Sequence, residues 1–199
     1  MNITAMYFSG TGTTKKVTAA IADELTEIKI SQDETAAGEN PGSIKAGIKL
    51  WQRAADIDFT PPAARREIYR FTPDDLVVFG VPVIAGRVPN VLLKFLDTLQ
   101  GGGALAVPVV LYGNRNFDDA LIELRNILQD RGFYAIGAAA FIGEHSFSRI
   151  LAAGRPDSSD MELSRDFARK LAGKIHRLGA AGLREAAPVP VDGADPIRP

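Results

Sequence analysis

Residues 3–8, 76–79, 106–111 and 135–142 form apolar runs of strand length, and most of them are continuous rather than alternating. Strands buried on both faces read this way, and such strands occur in parallel sheets covered by helices. Helical patterns lie between them. Val17, Ile21 and Leu25 recur every four residues, Val91, Leu92, Phe95, Leu96 and Leu99 make a stripe, and Leu121, Leu124, Ile127 and Leu128 make another. A last helix is expected to bury Leu163, Phe167, Leu171, Ile175 and Leu178, entered through Asp157-Ser158-Ser159-Asp160 as a cap and stopped at Gly179. Strand and helix thus alternate, which implies an α/β domain with helices on both faces of one parallel sheet. Residues 31–62 are polar and broken by Gly and Pro. They are read as following a strand at 27–30 and as holding one amphipathic helix through Ile44, Ile48, Trp51 and Ala55. The domain is expected to span residues 1–180, and the proline-rich segment 181–199 to be an extended tail.

Composition narrows the function classes. The 199 residues carry 23 Lys+Arg against 24 Asp+Glu, a formal charge of −1, so no global field draws the chain to nucleic acid or to an anionic membrane. No run approaches the roughly 20 apolar residues of a membrane span. The N-terminus lacks the pattern of a secretory leader, so a cytoplasmic location is expected. There is no cysteine, which removes disulfides, thiol nucleophiles and cysteine-ligated iron–sulfur clusters. The two histidines, His145 and His176, have no metal-ligand spacing, and no metal site is expected.

The stretch between the first strand and first helix is Ser9-Gly10-Thr11-Gly12-Thr13-Thr14. Glycines let the backbone curl until N–H groups face one point, hydroxyls add donors, and the helix N-terminus adds its positive dipole end, which together make a phosphate cradle. Lys15 stands where a dinucleotide fingerprint needs a third glycine. Val17 follows Lys16 where a triphosphate loop needs Ser or Thr. A bare glycine-rich turn that only starts a helix has the same glycines.

This motif resembles the phosphate loop of flavodoxins, S/T-x-T-G-x-T. The resemblance implies a flavodoxin-like three-layer sandwich with a five-stranded parallel sheet of order 2-1-3-4-5, helices on both faces, and FMN as cofactor. The FMN phosphate would meet the side chains of Ser9, Thr11 and Thr14 and the amides of Gly12 and Thr13, with Gly10 completing the turn. Ligands of such sheets bind outside the carboxyl ends of the strands, at the switch point. Two loops are therefore implied around the flavin ring: Pro82, Val83, Ile84, Ala85, Gly86 and Arg87, and then Tyr112, Gly113, Asn114, Arg115 and Phe117. Flavodoxins usually stack an aromatic residue on the ring, whereas Ile84 is aliphatic, so stacking is expected from Tyr112 or Phe117. Arg87 and Arg115 are candidates to stabilise the negative charge that reduction places on the ring edge; surface ion pairs with Asp118 or Asp119 are their plainer role.

Farther along, Gly143-Glu144-His145-Ser146-Phe147-Ser148-Arg149 and Ala153-Gly154-Arg155-Pro156-Asp157 with Asp160 resemble the flavodoxin domain of anaerobe flavodoxin–ferredoxin fusion proteins. His145 is the candidate proton donor of that loop, and Arg155 is expected to fix it through nearby carboxylates. The implied function is electron transfer to or from a separate protein partner, a ferredoxin being one candidate. The other reading is an FMN-dependent NAD(P)H oxidoreductase acting on a quinone, nitro compound or flavin.

Overall fold

The computed structural model describes residues 1–27, 51–148 and 150–194. Strand β1, Asn2–Tyr7, shows why its apolar run is continuous. Ile3, Ala5 and Tyr7 enter one core cluster and Met6 enters another, so alternate residues point to opposite, equally dry faces of the sheet. The same split recurs in β4, Asp75–Pro82, where Leu76 and Val78 face the first cluster and Val77, Phe79 and Val81 the second. It recurs again in β5, Leu105–Tyr112.

Helix α1, Thr13–Glu27, and helix α4, Ser158–Glu185, cover the first face with Val17, Ile21, Leu25, Ala168, Leu171 and Ile175. Helices α2, Asn90–Leu96, and α3, Ala120–Asp130, cover the other with Leu92, Phe95, Leu96, Leu121, Leu124 and Leu128. Three layers result.

All strand pairs are parallel. Beside β1 the edge is made of two pieces, β2 at Gln52–Arg53 and β3 at Ile57–Asp58; beside β5 the other edge is β6 at Tyr134–Ala135 and β7 at Ala139–Ile142. With each broken edge taken as one strand, the order is the expected 2-1-3-4-5. The second break falls opposite Val107 and Pro108, and Pro108 has no N–H to bring to a ladder.

The first edge corrects the sequence reading. Trp51 and Ala55 are not helical, and the segment around them supplies β2 and β3. Arg53 pairs with Asp23 at 2.7 Å and with Asp56, bridging α1 to the break between the two pieces. Ile44, Ile48 and residues 28–30 of the strand expected at 27–30 lie outside the described residues, and Glu27 closes α1.

Helix α4 starts where its cap was expected. The Asp157 carboxylate accepts from the N–H groups of Ser159 (2.9 Å) and Asp160 (3.0 Å), and Asp160 accepts from the Asp157 N–H (2.9 Å). Its buried face is offset from the expected stripe: Leu163 is 60% and Leu178 42% exposed, while Met161, Ser164, Ala168, Leu171, Ala172 and Ile175 are buried. Small side chains at 164, 168 and 172 belong to that buried face, in the layer that α4 shares with α1. Gly179, at φ 64°, breaks the helix as expected, yet a further turn runs on to Glu185. The tail beyond is extended but not detached. Arg125 donates to the Val189 carbonyl (2.9 Å), the Ala194 N–H to Asp119 (2.8 Å), and Val191 packs on the second core cluster.

Candidate functional site

β1 delivers the chain into the turn that precedes α1. The Ser9 N–H donates to the Thr60 hydroxyl (2.8 Å), and the Ser9 hydroxyl accepts from the Lys15 N–H (3.0 Å). Gly12, at φ 87°, takes a backbone conformation that glycine adopts freely, and its carbonyl accepts the Lys16 N–H (3.0 Å). Among the described residues, the N–H groups of Gly10, Thr11, Gly12, Thr13 and Thr14 have no acceptor. A Cβ placed at Gly10 or Gly12 would meet nothing within 4 Å. Thr14 is buried, and the Thr11 and Thr13 hydroxyls lie 3.2 Å apart. Unpaired donors at a helix start, with clear space beside Gly10 and Gly12, are the chemistry of an anion site. Ser9 stands apart from its expected role: its oxygen caps the first turn, and it does not line the cleft described below.

After β4 the chain makes a narrow two-residue hairpin. Ile84 and Arg87 exchange both backbone hydrogen bonds (3.0 and 3.1 Å) across Ala85 at φ 52° and Gly86 at φ 76°. Two successive left-handed residues define the turn that suits tight hairpins, and a Cβ at Gly86 would collide with Asp118. The hairpin is clamped from behind. Arg87 donates to both carboxylate oxygens of Glu123, Nε to Oε2 at 2.9 Å and Nη2 to Oε1 at 2.7 Å, and the Val88 N–H donates to Oε2 at 2.8 Å. Glu123, buried in the first turn of α3, holds the Arg87 guanidinium above its ordinary range by this hydrogen bonding. The Gly86 carbonyl also accepts the Asp119 N–H (3.1 Å).

At the end of β5, the Tyr112 ring meets Phe117 nearly edge-on at 5.5 Å, and the Tyr112 carbonyl accepts the Gly143 N–H (2.9 Å) from the loop after β7. The next residues of that loop turn around His145, whose Nδ1 accepts the N–H groups of Phe147 (3.1 Å) and Ser148 (3.2 Å). In the neutral ring the proton is therefore on Nε2. A Cβ at Gly113 would lie 2.6 Å from His145 Cδ2, so glycine permits the close approach of the two loops. Arg155 behaves as expected, with its guanidinium on Asp160 and 3.5 Å from Asp157, and this pairing holds the Asp160 carboxyl below its usual range. Arg149 lies outside the described residues.

These four loops enclose a cleft of about 270 Å³ at the carboxyl end of the sheet. Of the residues expected at the site, Gly10, Thr11, Thr13, Thr14, Pro82, Val83, Ile84, Ala85, Tyr112, Gly113 and His145 line it. Ser9, Gly12, Gly86, Arg87, Asn114, Arg115 and Phe117 do not. Gly86, Arg87 and Phe117 instead line a more open hollow with Asp118, Asp119 and the tail residues Asp192, Gly193 and Ala194. Arg87 is turned away by Glu123, and Arg115 is exposed outside the cleft lining. The sequence reading missed Phe8, Leu111 and Phe147 as wall residues. Phe8 and Leu111 sit at strand ends, next to the motifs that were read.

The topology and the position of the cleft define a flavodoxin-like α/β fold. Solved structures share it: a flavodoxin from the domain Archaea is 14% identical, with 88% of this chain and 99% of that one covered at a TM-score of 0.53. An NADH:FMN oxidoreductase (EMOB) in its apo form is 18% identical, with 87% and 89% covered at a TM-score of 0.54. A flavodoxin of Streptococcus pneumonia TIGR4 is 16% identical, with 87% and 99% covered at a TM-score of 0.50. No protein-family model and no curated protein sequence matches the chain. Among the described residues, no helix is long and apolar enough to cross a membrane.

Proposed function

We propose that the cleft binds FMN and that the chain is a cytoplasmic electron carrier that trades electrons with a separate protein. The observation that carries this reading is the row of N–H groups from Gly10 to Thr14 at the start of α1, unpaired among the described residues, with clear space beside Gly10 and Gly12. The residues fit the cofactor's chemistry. The phosphate would meet those amides and the hydroxyls of Thr11, Thr13 and Thr14, and the ring would lie against Ile84, Ala85, Tyr112 and Gly113. When bound, FMN supplies one- and two-electron redox chemistry. The protein's own part is to fix the phosphate without a lysine, to hold the ring between two rigid loops, and to keep water from its buried edge. The resemblance to flavodoxin–ferredoxin fusions supports a protein partner, and these 199 residues contain no cysteine with which to ligate a cluster themselves.

The purified protein should be yellow or become so with FMN, and FMN should raise its unfolding temperature. Replacing Thr11 and Thr14 by alanine removes two donors to a charged group. At ~1.5–3 kcal/mol each, that weakens FMN binding by about 100-fold or more. Unchanged affinity in that double variant would refute the placement of the phosphate. Anaerobic mixing with NADH and NADPH separates this carrier from an FMN-dependent reductase, since rapid bleaching by either nucleotide favours the reductase.

A further inference from the structure

Phe147 is 95% exposed, the most exposed of the chain's large apolar side chains described, yet it lines the cleft. A free phenylalanine ring in water forfeits the stabilisation that burial gives it, and at the wall of a cleft that loss points to a ligand surface. Among the other walls Ile84 is aliphatic, Phe8 and Tyr112 are aromatic, and Tyr112 meets Phe117 nearly edge-on, so Phe147 adds an apolar surface from the loop after β7. The backbone of Phe147 is pinned. Its N–H is held by His145 Nδ1, as is that of Ser148, and the Ser148 hydroxyl accepts the Leu151 N–H at 3.0 Å. His145 is itself lodged against Gly113. The backbone is thus held at Phe147, and its exposed ring meets the His145 ring nearly edge-on at 6.2 Å.

The geometry points to Phe147 as the side chain that covers a face of the flavin ring, and to His145 as the positioning residue that aims it. This rests on the FMN reading above. It gives His145 a backbone-holding role through Nδ1, beside the proton-donor role expected for it. A flat ring gains from a second flat ring through dispersion and quadrupole interactions that an aliphatic side chain of similar size does not supply.

The test is FMN titration of the full chain, followed by binding and by quenching of flavin fluorescence, in the wild type, Phe147→Ala, Phe147→Tyr, His145→Ala and the His145→Ala/Phe147→Ala double variant. Phe147 is exposed, so Phe147→Ala should leave the unfolding temperature without FMN unchanged. It should weaken FMN binding about tenfold, ~1.4 kcal/mol, and lose part of the quenching. Phe147→Tyr should stay close to wild type. His145→Ala should reproduce the loss, and the double variant should add little to Phe147→Ala, as expected when one residue acts through the other. Wild-type binding with undiminished affinity and quenching in Phe147→Ala would overturn the inference alone. A wild type that does not bind FMN would overturn the functional reading and this inference together.

Discussion

Breaking the Arg87–Glu123 clamp should show an asymmetric and strongly non-additive loss of stability. The Glu123 side chain is 7% exposed and that of Arg87 35%. Arg87→Met therefore leaves a buried carboxylate with the Val88 N–H as its remaining partner among the described residues. Such a loss costs about 3–5 kcal/mol. Glu123→Leu leaves a guanidinium that is already 35% exposed, and among the described residues its main cost is the N–H of Val88, which is fully buried. An orphaned donor of that kind costs about 1–3 kcal/mol. The double variant removes both charges of the pair and retains the Val88 defect, so among the described residues it should cost about what Glu123→Leu costs. The coupling between the sites should then be on the order of 3 kcal/mol. For a chain of this size, 1 kcal/mol shifts the melting temperature by about 2–4 °C, so Arg87→Met should melt roughly 10 °C below wild type. Urea and thermal unfolding of the four proteins give the cycle directly. Additive single costs, or an Arg87→Met variant milder than Glu123→Leu, would refute the assignment of the pair as a buried clamp.

Two other expectations follow from buried groups near the site. A Cβ at Gly80 would collide with the hydroxyl of Thr18 and stand 3.0 Å from Thr14 Cγ2, so Gly80→Ala should cost about 1–3 kcal/mol or more. Adding Thr18→Ala should recover part of that loss, because the Thr18 hydroxyl is buried without a partner among the described residues; unfolding curves that show Gly80→Ala as stable as wild type would contradict the close approach of β4 and α1. The Tyr7 hydroxyl is pushed up to about 12, first by burial and then by the charges of Asp56 and Asp58. A group whose value is raised in the folded state contributes stability that is whole below its unfolded value, near 10, and is lost as the pH rises through the folded one. Wild type should therefore lose stability between pH 10 and 12 relative to Tyr7→Phe, by about 2–3 kcal/mol at the upper end; parallel curves would sink the assignment.

The parts of this fold that could be read in the sequence are those in which local chemistry and tertiary position agree. Continuous apolar runs marked β1, β4 and β5 because both faces of the sheet are covered. Asp157 and Asp160 marked the start of α4 because a cap is satisfied within one turn. The broken edges were not legible. β2 and β3 are two residues each and are defined by pairing with β1, which is remote in sequence, while Trp51 and Ala55 happened to match a helical spacing. The offset face of α4 was missed for a related reason. Leu163 and Leu178 fit the apolar period, but the helix buries Ser164, Ala168 and Ala172, and small residues leave little trace in a hydrophobic pattern. At the site, backbone-determined features such as the glycine turn and the loop positions were readable. The destinations of long side chains were not, since Arg87 could be placed only once Glu123, thirty-six residues later, was known to lie behind it.

That last displacement changes the electrostatic character of the cleft. The sequence suggested two guanidinium groups beside a redox ring, yet neither Arg87 nor Arg115 lines the cleft, and its charged wall residue among those described is Glu144. Arg87 and Arg155 hold carboxylates at the first turns of α3 and α4, and so fix the loops rather than face the ligand. The groups left to face a ligand are amides, hydroxyls and rings. An anion at the start of α1 would then be held by backbone dipoles and hydroxyls rather than by a side-chain cation. A ring that gains negative charge on reduction would meet no side-chain cation among the described walls. In an FMN protein of this geometry the reduced form would be left without that stabilisation, and the chain would be suited to giving electrons away rather than to keeping them.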